Sequence, residues 1–406
     1  MNKVCVIGLG YIGLPTAAII ADKGLEVIGV DINHELISSI KKLEVNKDEP
    51  GLEFIINKVI KEGKLIPTTK IQKADIFIIA VPTPLKLEKD KEPAPNMDFV
   101  YGIAEQLSGF IEEGNMVIIE STSTIGTTAK VADLIEYHSG ISKNNIDFIC
   151  CPERVIPGNI IHEIVHNDRI VGGLTSNSTL RCKEFYELFC NGKIHQTDSK
   201  TAELAKLTEN SFRDVNIAFA NEISIICEKL NINTDELIKL TNCHPRVNLL
   251  NPGCGVGGHC IAVDPYFITS QFPKDTLLIQ SSRKVNEKKK EWSFRKIKEF
   301  IGLYKNEYSK DPIIGCLGLT YKANVDDIRN SPSLDIVKKL SRDIYKLKIC
   351  EPNLKSHKEF KLENIKNTIS KSDILIIFVA HKEFFPYVSE IIKDKKFIDF
   401  CGITNL

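Results

Sequence analysis

A cysteine at the end of a glycine-rich run is the part of this sequence with the most evident chemical potential. Residues 251–267 read NPGCGVGGHCIAVDPYF, in which Cys260 follows Gly253, Gly255, Gly257 and Gly258, and Asp264 lies four positions further on. Glycine lets backbone approach a neighbour closely and adopt positive φ. A thiol in such a loop serves as a nucleophile, a metal ligand or packing. As a nucleophile it reacts in its thiolate form, which a nearby cation favours. Lys206 and Asn210 stand i,i+4 in a helical stretch and so share a face. A lysine there can act as base toward an alcohol or steady an oxyanion, and Asn210 can donate to the same oxygen. Asp264 can orient a water or keep the lysine charged. The competing reading is structural: most of twelve cysteines pack interiors, Cys254 among them, and Lys206 is a solvated helix lysine. His244, His259 and Cys260 show no zinc-like spacing, so no metal is expected.

A second pattern favours the nucleophile. Residues 8–13 read GLGYIG, a GxGxxG of Gly8, Gly10 and Gly13 between a strand-like run and a helical one. Gly8 permits the tight turn, Gly10 lets backbone reach a pyrophosphate, and Gly13 lets helix and strand pack closely. The helix N-terminus then faces the phosphates. Asp31 ends the next strand-like run, 18 positions after Gly13 (31 − 13). A carboxylate there accepts from ribose hydroxyls and repels a 2′-phosphate, which favours NAD over NADP. FAD proteins share the fingerprint, so the motif alone does not select nicotinamide. VPTP (81–84) and ESTSTIG (120–126) follow later strand-like runs, and their hydroxyls Thr83, Ser121, Thr122 and Thr124 suit a cofactor groove. With NAD present, a thiol gains a specific task. It adds to an aldehyde to give a thiohemiacetal, and a second oxidation leaves a thioester for water to hydrolyse.

The elements that must position these residues fall into three parts. Residues 3–7, 26–30, 75–81, 116–120 and 146–150 are continuous apolar runs that suit a parallel sheet covered on both faces, with a helix over Leu14–Lys23 between the first two. Residues 201–230 contain no Gly or Pro, and Ala205, Thr208, Phe212, Val215, Phe219 and Ile223 recur at helical spacing, which predicts one helix of about 30 residues. From Asp311 onward, 313–319, 374–380 and 396–400 read as strands again. The stretch 284–300 reads as a solvated, charged linking helix. The expected fold is α/β, with two Rossmann-like doubly wound domains joined by a central helical domain built on one long helix. The expected boundaries are 1–198, 199–305 and 306–406.

Composition sets the outer bounds. The chain has 406 residues, 53 basic and 53 acidic side chains, and 43% hydrophobic residues. Zero net charge gives no electrostatic support for nucleic-acid or anionic-membrane binding. The N-terminus lacks a signal-peptide pattern, and no apolar run reaches spanning length. The cysteines form no CxxC pair. Reduced thiols and a cytoplasmic location are therefore expected.

Taken together, these motifs identify a resemblance. VIGLGYIGLPTAA (6–18), GVDIN (29–33), AVPTP (80–84), ESTSTIG (120–126), CPERVIPG (151–158), AELAKLTENSFRDVNIAFANE (202–222), HPRVN (244–248), GVGGHCIAVDPYF (255–267) and GLTYKANVDDIRNSP (318–332) occur in order along the chain. The sequence resembles the UDP-glucose/GDP-mannose dehydrogenase family over essentially its whole length. HPRVN with GVGGHCIAVDP resembles the branch that acts on UDP-N-acetyl-D-mannosamine.

The resemblance implies an NAD-dependent, four-electron oxidation of a UDP-sugar C6 alcohol to the uronic acid. The product would feed surface polysaccharide synthesis, and the enzyme would be a homodimer. Cys260 matches the nucleophile, Lys206 the catalytic lysine, Asn210 its helix neighbour, Asp264 the aspartate of the cysteine loop and Glu153 the acid of water activation. Tyr11, Ile12, Asp31, Thr83, Thr124 and Arg329 match NAD-contacting positions. Arg154, Val155, Arg213, His244, Arg246, Gly255, Tyr321 and Lys322 match substrate-contacting ones, and Lys206 and Asn210 also face the sugar. Arginine forks suit the pyrophosphate. The chain departs from close relatives at Cys254, where they have proline, and at Cys401, where they have a basic residue before the glycine. Cys254 is expected to loosen the entry to the loop, and Cys401 to remove a substrate contact. Rival readings are the same chemistry on UDP-N-acetylglucosamine or UDP-glucose, a two-electron hydroxy-acid dehydrogenase, and a non-catalytic NAD-binding protein.

Overall fold

A computed structural model describes residues 3–44, 49–88, 92–155, 158–343 and 345–405. The chain forms two compact units. One runs up to Glu209 and includes Tyr266–Phe272; the other comprises Asn210–Pro265 and the chain from Pro273 onward. The helix Ser199–Leu230 contributes its first turns to one unit and the rest to the other.

The strands of the first unit are β1 (Lys3–Ile7), β2 (Glu26–Val30), β3 (Leu65–Thr68), β4 (Ile76–Ile79), a two-residue pair β5 (Leu85–Lys86) and β6 (Ala94–Pro95), then β7 (Met116–Ile119), β8 (Asp147–Cys150), β9 (Arg169–Gly173) and β10 (Ile194–Asp198). Eight of them form one sheet in the order β10-β9-β8-β7-β4-β1-β2-β3, parallel except where β8 meets β9. Chain order reverses beside β1, which pairs with both β2 and β4. Such a reversal opens a crevice at the carboxyl ends of the strands, where doubly wound sheets bind ligands. Val4, Val6, Ile76, Ile78, Met116 and Ile118 on one face and Cys5, Phe77, Ile79, Val117 and Ile119 on the other are fully buried. That double burial explains why their runs are uniformly apolar.

The strands of the second unit are β11 (Ile313–Leu317), β12 (Lys346–Cys350), β13 (Ile374–Ile377) and β14 (Lys396–Asp399), in a parallel sheet ordered β12-β11-β13-β14. The two parallel sheets and the long helix match the expected α/β architecture. Besides the short pair β5–β6, four strands lie outside the sequence expectations. β3, β10 and β12 are sheet edges, and edges tolerate Pro67, the polar run His195–Thr197 and the lysines of β12. β9 carries two glycines, and a Cβ at Gly172 would stand 2.2 Å from the Asp198 carbonyl oxygen.

Two long helices face each other across a polar seam. Residues 284–300 belong to a 32-residue helix, Leu277–Tyr308, on which Lys284, Glu287, Lys288, Glu291, Arg295, Lys298 and Glu299 are exposed as expected, while one polar face is buried. Arg283, Asn286 and Lys289 are buried. Arg283 Nη1 donates to Asp214 Oδ1 at 2.5 Å, and Asn286 Nδ2 donates to the same oxygen at 2.8 Å. Asn221 Nδ2 donates to Asn286 Oδ1 at 2.9 Å, and Lys289 Nζ to Ser224 Oγ at 2.7 Å. Asp214, Asn221 and Ser224 lie on the Ser199–Leu230 helix, so a polar seam joins the two helices. The residues whose spacing predicts that helix include exposed aromatics, Phe212 at 67% and Phe219 at 55%.

The seam also reaches the cysteine loop. Asn221 Oδ1 accepts from the backbone N–H of Gly253 at 3.0 Å, and Asn216 Oδ1 from that of Leu250 at 3.2 Å. Removing one partner of a buried charge pair strands the other, at a cost of about 3–5 kcal/mol. Asp214→Ala is therefore expected to lower unfolding stability in urea by about that much. Asp214→Leu combined with Arg283→Met is expected to cost less, and an equal loss would argue against charge stranding.

Candidate active site

In the first unit, β1 passes through Gly8 (φ +95°) into the helix Gly13–Asp22. A Cβ at Gly8 would meet the Ala80 carbonyl oxygen at 2.6 Å, and one at Gly13 would meet the Gly8 carbonyl oxygen at 1.8 Å. Gly10 faces open space, with nothing within 4 Å of its Cβ direction. Two glycines thus allow backbone packing and the third leaves a free approach, which is the arrangement a dinucleotide pyrophosphate needs. No side chain caps the start of the Gly13–Asp22 helix. Asp31 stands after β2, its Oδ2 accepting from Leu9 N–H at 2.9 Å and its Oδ1 from Asn33 N–H at 2.8 Å. Tyr11 and Ile12 are half-buried on the turn itself. Gly8, Gly10, Gly13 and Asp31 thus have the arrangement that a dinucleotide site requires.

Thr83 and Thr124 follow β4 and β7, adjacent strands of that sheet. Ser121 Oγ donates to the Val81 carbonyl at 2.7 Å and ties the two loops together. Thr124 Oγ1 lies 3.0 Å from Thr127 Oγ1. Glu203, buried on the Ser199–Leu230 helix, accepts from Gly126 N–H at 2.6 Å, Thr128 N–H at 2.8 Å and Thr128 Oγ1 at 2.7 Å. It caps the helix Thr127–Ser139, which lacks a cap of its own. Lys206 is half-buried on the same long helix, one turn before Asn210.

Glu153 lies in a buried cluster that sequence patterns did not reveal. Arg169 Nη2 reaches Glu153 Oε2 at 3.3 Å, and its guanidinium sits 4.8 Å above the Tyr186 ring centre. Tyr186 donates its hydroxyl to Glu120 Oε1 at 2.7 Å. Two buried carboxyls thus share one cation. Burial and then Glu153 push the Glu120 carboxyl up to about 7, while Arg169, Tyr186 and Thr16 pull it down. Arg154 and Val155 follow half-buried, with Arg154 Nε 3.3 Å from Glu209 Oε2.

In the second unit, Cys260 is half-exposed and Asp264 is buried. Asp264 N–H and Val263 N–H both donate to the Cys260 carbonyl, at 2.8 and 2.9 Å, which winds the chain into a turn behind the thiol. Asn210 Nδ2 donates to Asp264 Oδ2 at 2.6 Å. The loop before Cys260 lies flat on residues 321–332. A Cβ at Gly257 would stand 2.6 Å from the Asn330 carbonyl oxygen, and one at Gly258 (φ +85°) 2.8 Å from the Tyr321 ring. Gly258 N–H donates to the Arg329 carbonyl at 2.9 Å, and Asn330 Nδ2 returns a bond to the Gly258 carbonyl at 3.0 Å. Gly255 rests on Pro332.

Asp327 and His259 were not singled out together by sequence. Asp327 accepts Arg329 Nε and Nη2 in a fork, at 2.6–3.0 Å, and its Oδ2 lies 3.6 Å from His259 Nδ1. The two residues are distant in sequence, so no spacing signals the pair. Tyr321 is half-buried, and its hydroxyl is raised by burial first, then by Asp327 and Cys260, against Arg329 and Arg213. Arg213, His244, Arg246 and Lys322 are exposed. Cys254 does not loosen the loop entry: it is buried in the core under β11, 3.6 Å from Ser333 Oγ. Cys401 and Gly402 wrap around Asp399, whose Oδ1 accepts both backbone N–H groups at 2.9 Å. Among the described residues, no group of three or more His, Cys, Asp or Glu is placed to hold a metal ion.

Comparison with known proteins gives the same picture along the whole chain. Residues 2–190 match the NAD binding domain of the UDP-glucose/GDP-mannose dehydrogenase family, 200–288 its central domain and 315–405 its UDP binding domain. The chain is 46% identical to a UDP-N-acetyl-D-mannosamine dehydrogenase of Campylobacter jejuni, over 98% of this chain and 99% of the relative. It is 40% identical to an NDP-N-acetyl-D-galactosaminuronic acid dehydrogenase of Ralstonia solanacearum, over 100% and 96%. Among solved structures, the UDP-N-acetyl-mannosamine dehydrogenase of Staphylococcus aureus superposes with a TM-score of 0.87 at 36% identity, covering 100% of this chain and 95% of that one.

The Glu120 cluster has a pH signature. A carboxyl raised on folding binds more protons folded than unfolded between its ordinary value of 4.5 and about 7. Stability therefore falls as pH rises through that window. Glu120→Gln keeps an acceptor for Tyr186 and removes the titration. Thermal unfolding of this variant is expected to fall off less than that of the parent between about pH 5 and pH 8. Identical slopes would show that Glu120 does not titrate there.

Proposed function

The chain belongs to the UDP-glucose/GDP-mannose dehydrogenase family and is an NAD-dependent nucleotide-sugar dehydrogenase; from that premise we propose that it oxidises C6 of UDP-N-acetyl-D-mannosamine to the uronic acid. The observation that carries the reading is the half-exposed Cys260 at the end of a strapped glycine loop, with the bonded Asn210–Asp264 pair beside it. Relatives named for this sugar, 39–46% identical, support the substrate.

NAD+, when bound against Gly8, Gly10, Tyr11, Ile12, Gly13, Asp31, Thr83, Thr124 and Arg329, is the hydride acceptor for both oxidations. Lys206 takes the proton of the C6 hydroxyl as the hydride leaves carbon, and Asn210 donates to the resulting carbonyl oxygen. Asp264 holds Asn210 in that orientation. The Cys260 thiolate adds to the aldehyde: the C–S bond forms, and the carbonyl electron pair moves to oxygen, which takes a proton from Lys206. The thiohemiacetal hydroxyl then returns its proton to Lys206 as the C6 hydride leaves carbon, which gives a thioester. Water then attacks the acyl carbon, Glu153 accepts one of its protons, the C–S bond breaks to restore the thiolate, and the uronic acid gives its remaining proton to solvent. Arg154, Val155, Arg213, His244, Arg246, Gly255, Tyr321 and Lys322 are assigned to the UDP-sugar, the arginines by their match to phosphate oxygens.

The proposal divides the chain into an NAD-binding domain over 1–198, a central domain over 199–305 and a UDP-sugar domain over 306–406. It also includes a homodimer. Phe212, Phe219, Ile226 and Leu230 are 67%, 55%, 50% and 62% exposed along one helix. Their seven- and four-residue spacing forms an apolar stripe that a second copy would cover. Its place is the cytoplasm, where twelve free cysteines stay reduced.

NADH yield with limiting sugar and excess NAD+ tests the chemistry. The parent is expected to form about two NADH per UDP-N-acetylmannosamine, and Cys260→Ala to show no steady turnover. One NADH per sugar, unaffected by Cys260→Ala, would remove the covalent route. A yield only with UDP-N-acetylglucosamine, UDP-glucose or an N-acetylgalactosamine nucleotide would keep the route and change the sugar.

A further inference from the structure

His259 directly precedes Cys260, and its side chain reaches Asp327 of the segment 321–332. Its position is fixed from both sides. Gly258 is bonded through backbone to Arg329, and Tyr321 N–H donates to the Asp327 carbonyl at 3.1 Å. The His259 side chain is 35% exposed, and its Nδ1 lies 3.6 Å from Asp327 Oδ2, an ion-pair distance. Burial would raise the Asp327 carboxyl, but His259 and Arg329 outweigh it and hold the group well below the carboxylate range. Asp327 first and Cys260 second raise the imidazole to about 9, against burial and the Arg329 charge. The charged and titratable groups facing His259 are thus Asp327, Cys260, Arg329 and, through the glycine contact, Tyr321.

We propose that His259, paired with Asp327, is a positioning residue for the reaction: it presents a positive charge to the Cys260 sulfur and promotes its ionisation ahead of attack on the aldehyde. The inference rests on Cys260 being the nucleophile. A cation beside a thiol stabilises the thiolate, the form that adds to carbonyl carbon. Asp327 serves twice here. Its fork with Arg329 fixes the carboxylate, and the fixed carboxylate keeps the imidazole charged. Arg329, being a cation on the same carboxylate, cannot replace this function; it opposes protonation of His259.

Alkylation by iodoacetamide, followed at Cys260 by peptide mass spectrometry on the full chain, tests this without needing turnover. His259→Gln is expected to lower the alkylation rate near pH 7 by about tenfold. His259→Lys is expected to restore much of it. Asp327→Asn should leave an imidazole that loses its proton in the neutral range, so alkylation should match the parent near pH 6 and fall behind near pH 8. A merely structural role would not give that pH-dependent deficit. Superimposable alkylation profiles for parent, His259→Gln and Asp327→Asn, all folded by circular dichroism, would overturn the inference. If His259→Gln unfolds, the Asp327→Asn profile alone decides. Failure of the nucleophile reading would appear separately, as steady turnover by Cys260→Ala.

Discussion

The absence of Cβ atoms at Gly257 and Gly258 is the constraint on which the second unit's chemistry depends. Any larger residue would meet the Asn330 carbonyl oxygen at 2.6 Å or the Tyr321 ring at 2.8 Å. Because both are glycine, the loop lies directly on the 321–332 segment and exchanges two hydrogen bonds with it through Gly258. Backbone that close has little freedom, so Cys260 emerges in one orientation. The turn that follows the thiol places Asp264 against Asn210. The polar seam between the long helices secures the other end of the loop at Gly253. On the proposed reading of Cys260 as nucleophile, these contacts are its support.

The first unit solves a different problem with the same residue. Gly8 and Gly13 let a strand, a turn and a helix pack together, while Gly10 keeps one face open. Behind that turn, charge is managed by pairing. Glu203 caps a helix that has no side chain of its own to do so. Glu120 and Glu153 share Arg169, and the surplus negative charge is met by raising one carboxyl. Buried ionisable groups are costly unless paired, so each such cluster marks a place where the fold holds a specific geometry.

Much of this was legible in the sequence because its cause is local. The GxGxxG turn, the apolar central strands and the glycine run before Cys260 each follow from what the residues within a few positions must do. Edge strands such as β10 were not legible, since an edge exposes half its surface and its composition resembles a loop. The stretch 284–300 is solvated over most of its charged residues, as read, but Asn286 and Lys289, with Arg283 before them, find buried partners on another helix, which one dimension does not show. The Asp327–His259 pair and the Glu120–Glu153–Arg169 cluster join residues far apart in the chain, where spacing carries no signal. In the site itself, residue types were readable and their mutual restraint was not.

The central claim is that the sugar is held covalently on Cys260 while it is oxidised. Intact and peptide mass spectrometry of Glu153→Gln, mixed with UDP-N-acetylmannosamine and NAD+ and acid-quenched, addresses it most directly. With water activation impaired, the account predicts a uronyl adduct on the Cys260 peptide that accumulates and then decays slowly. A folded Glu153→Gln enzyme that forms NADH with no adduct on Cys260 at any quench time, beside a parent that turns over normally, would contradict it.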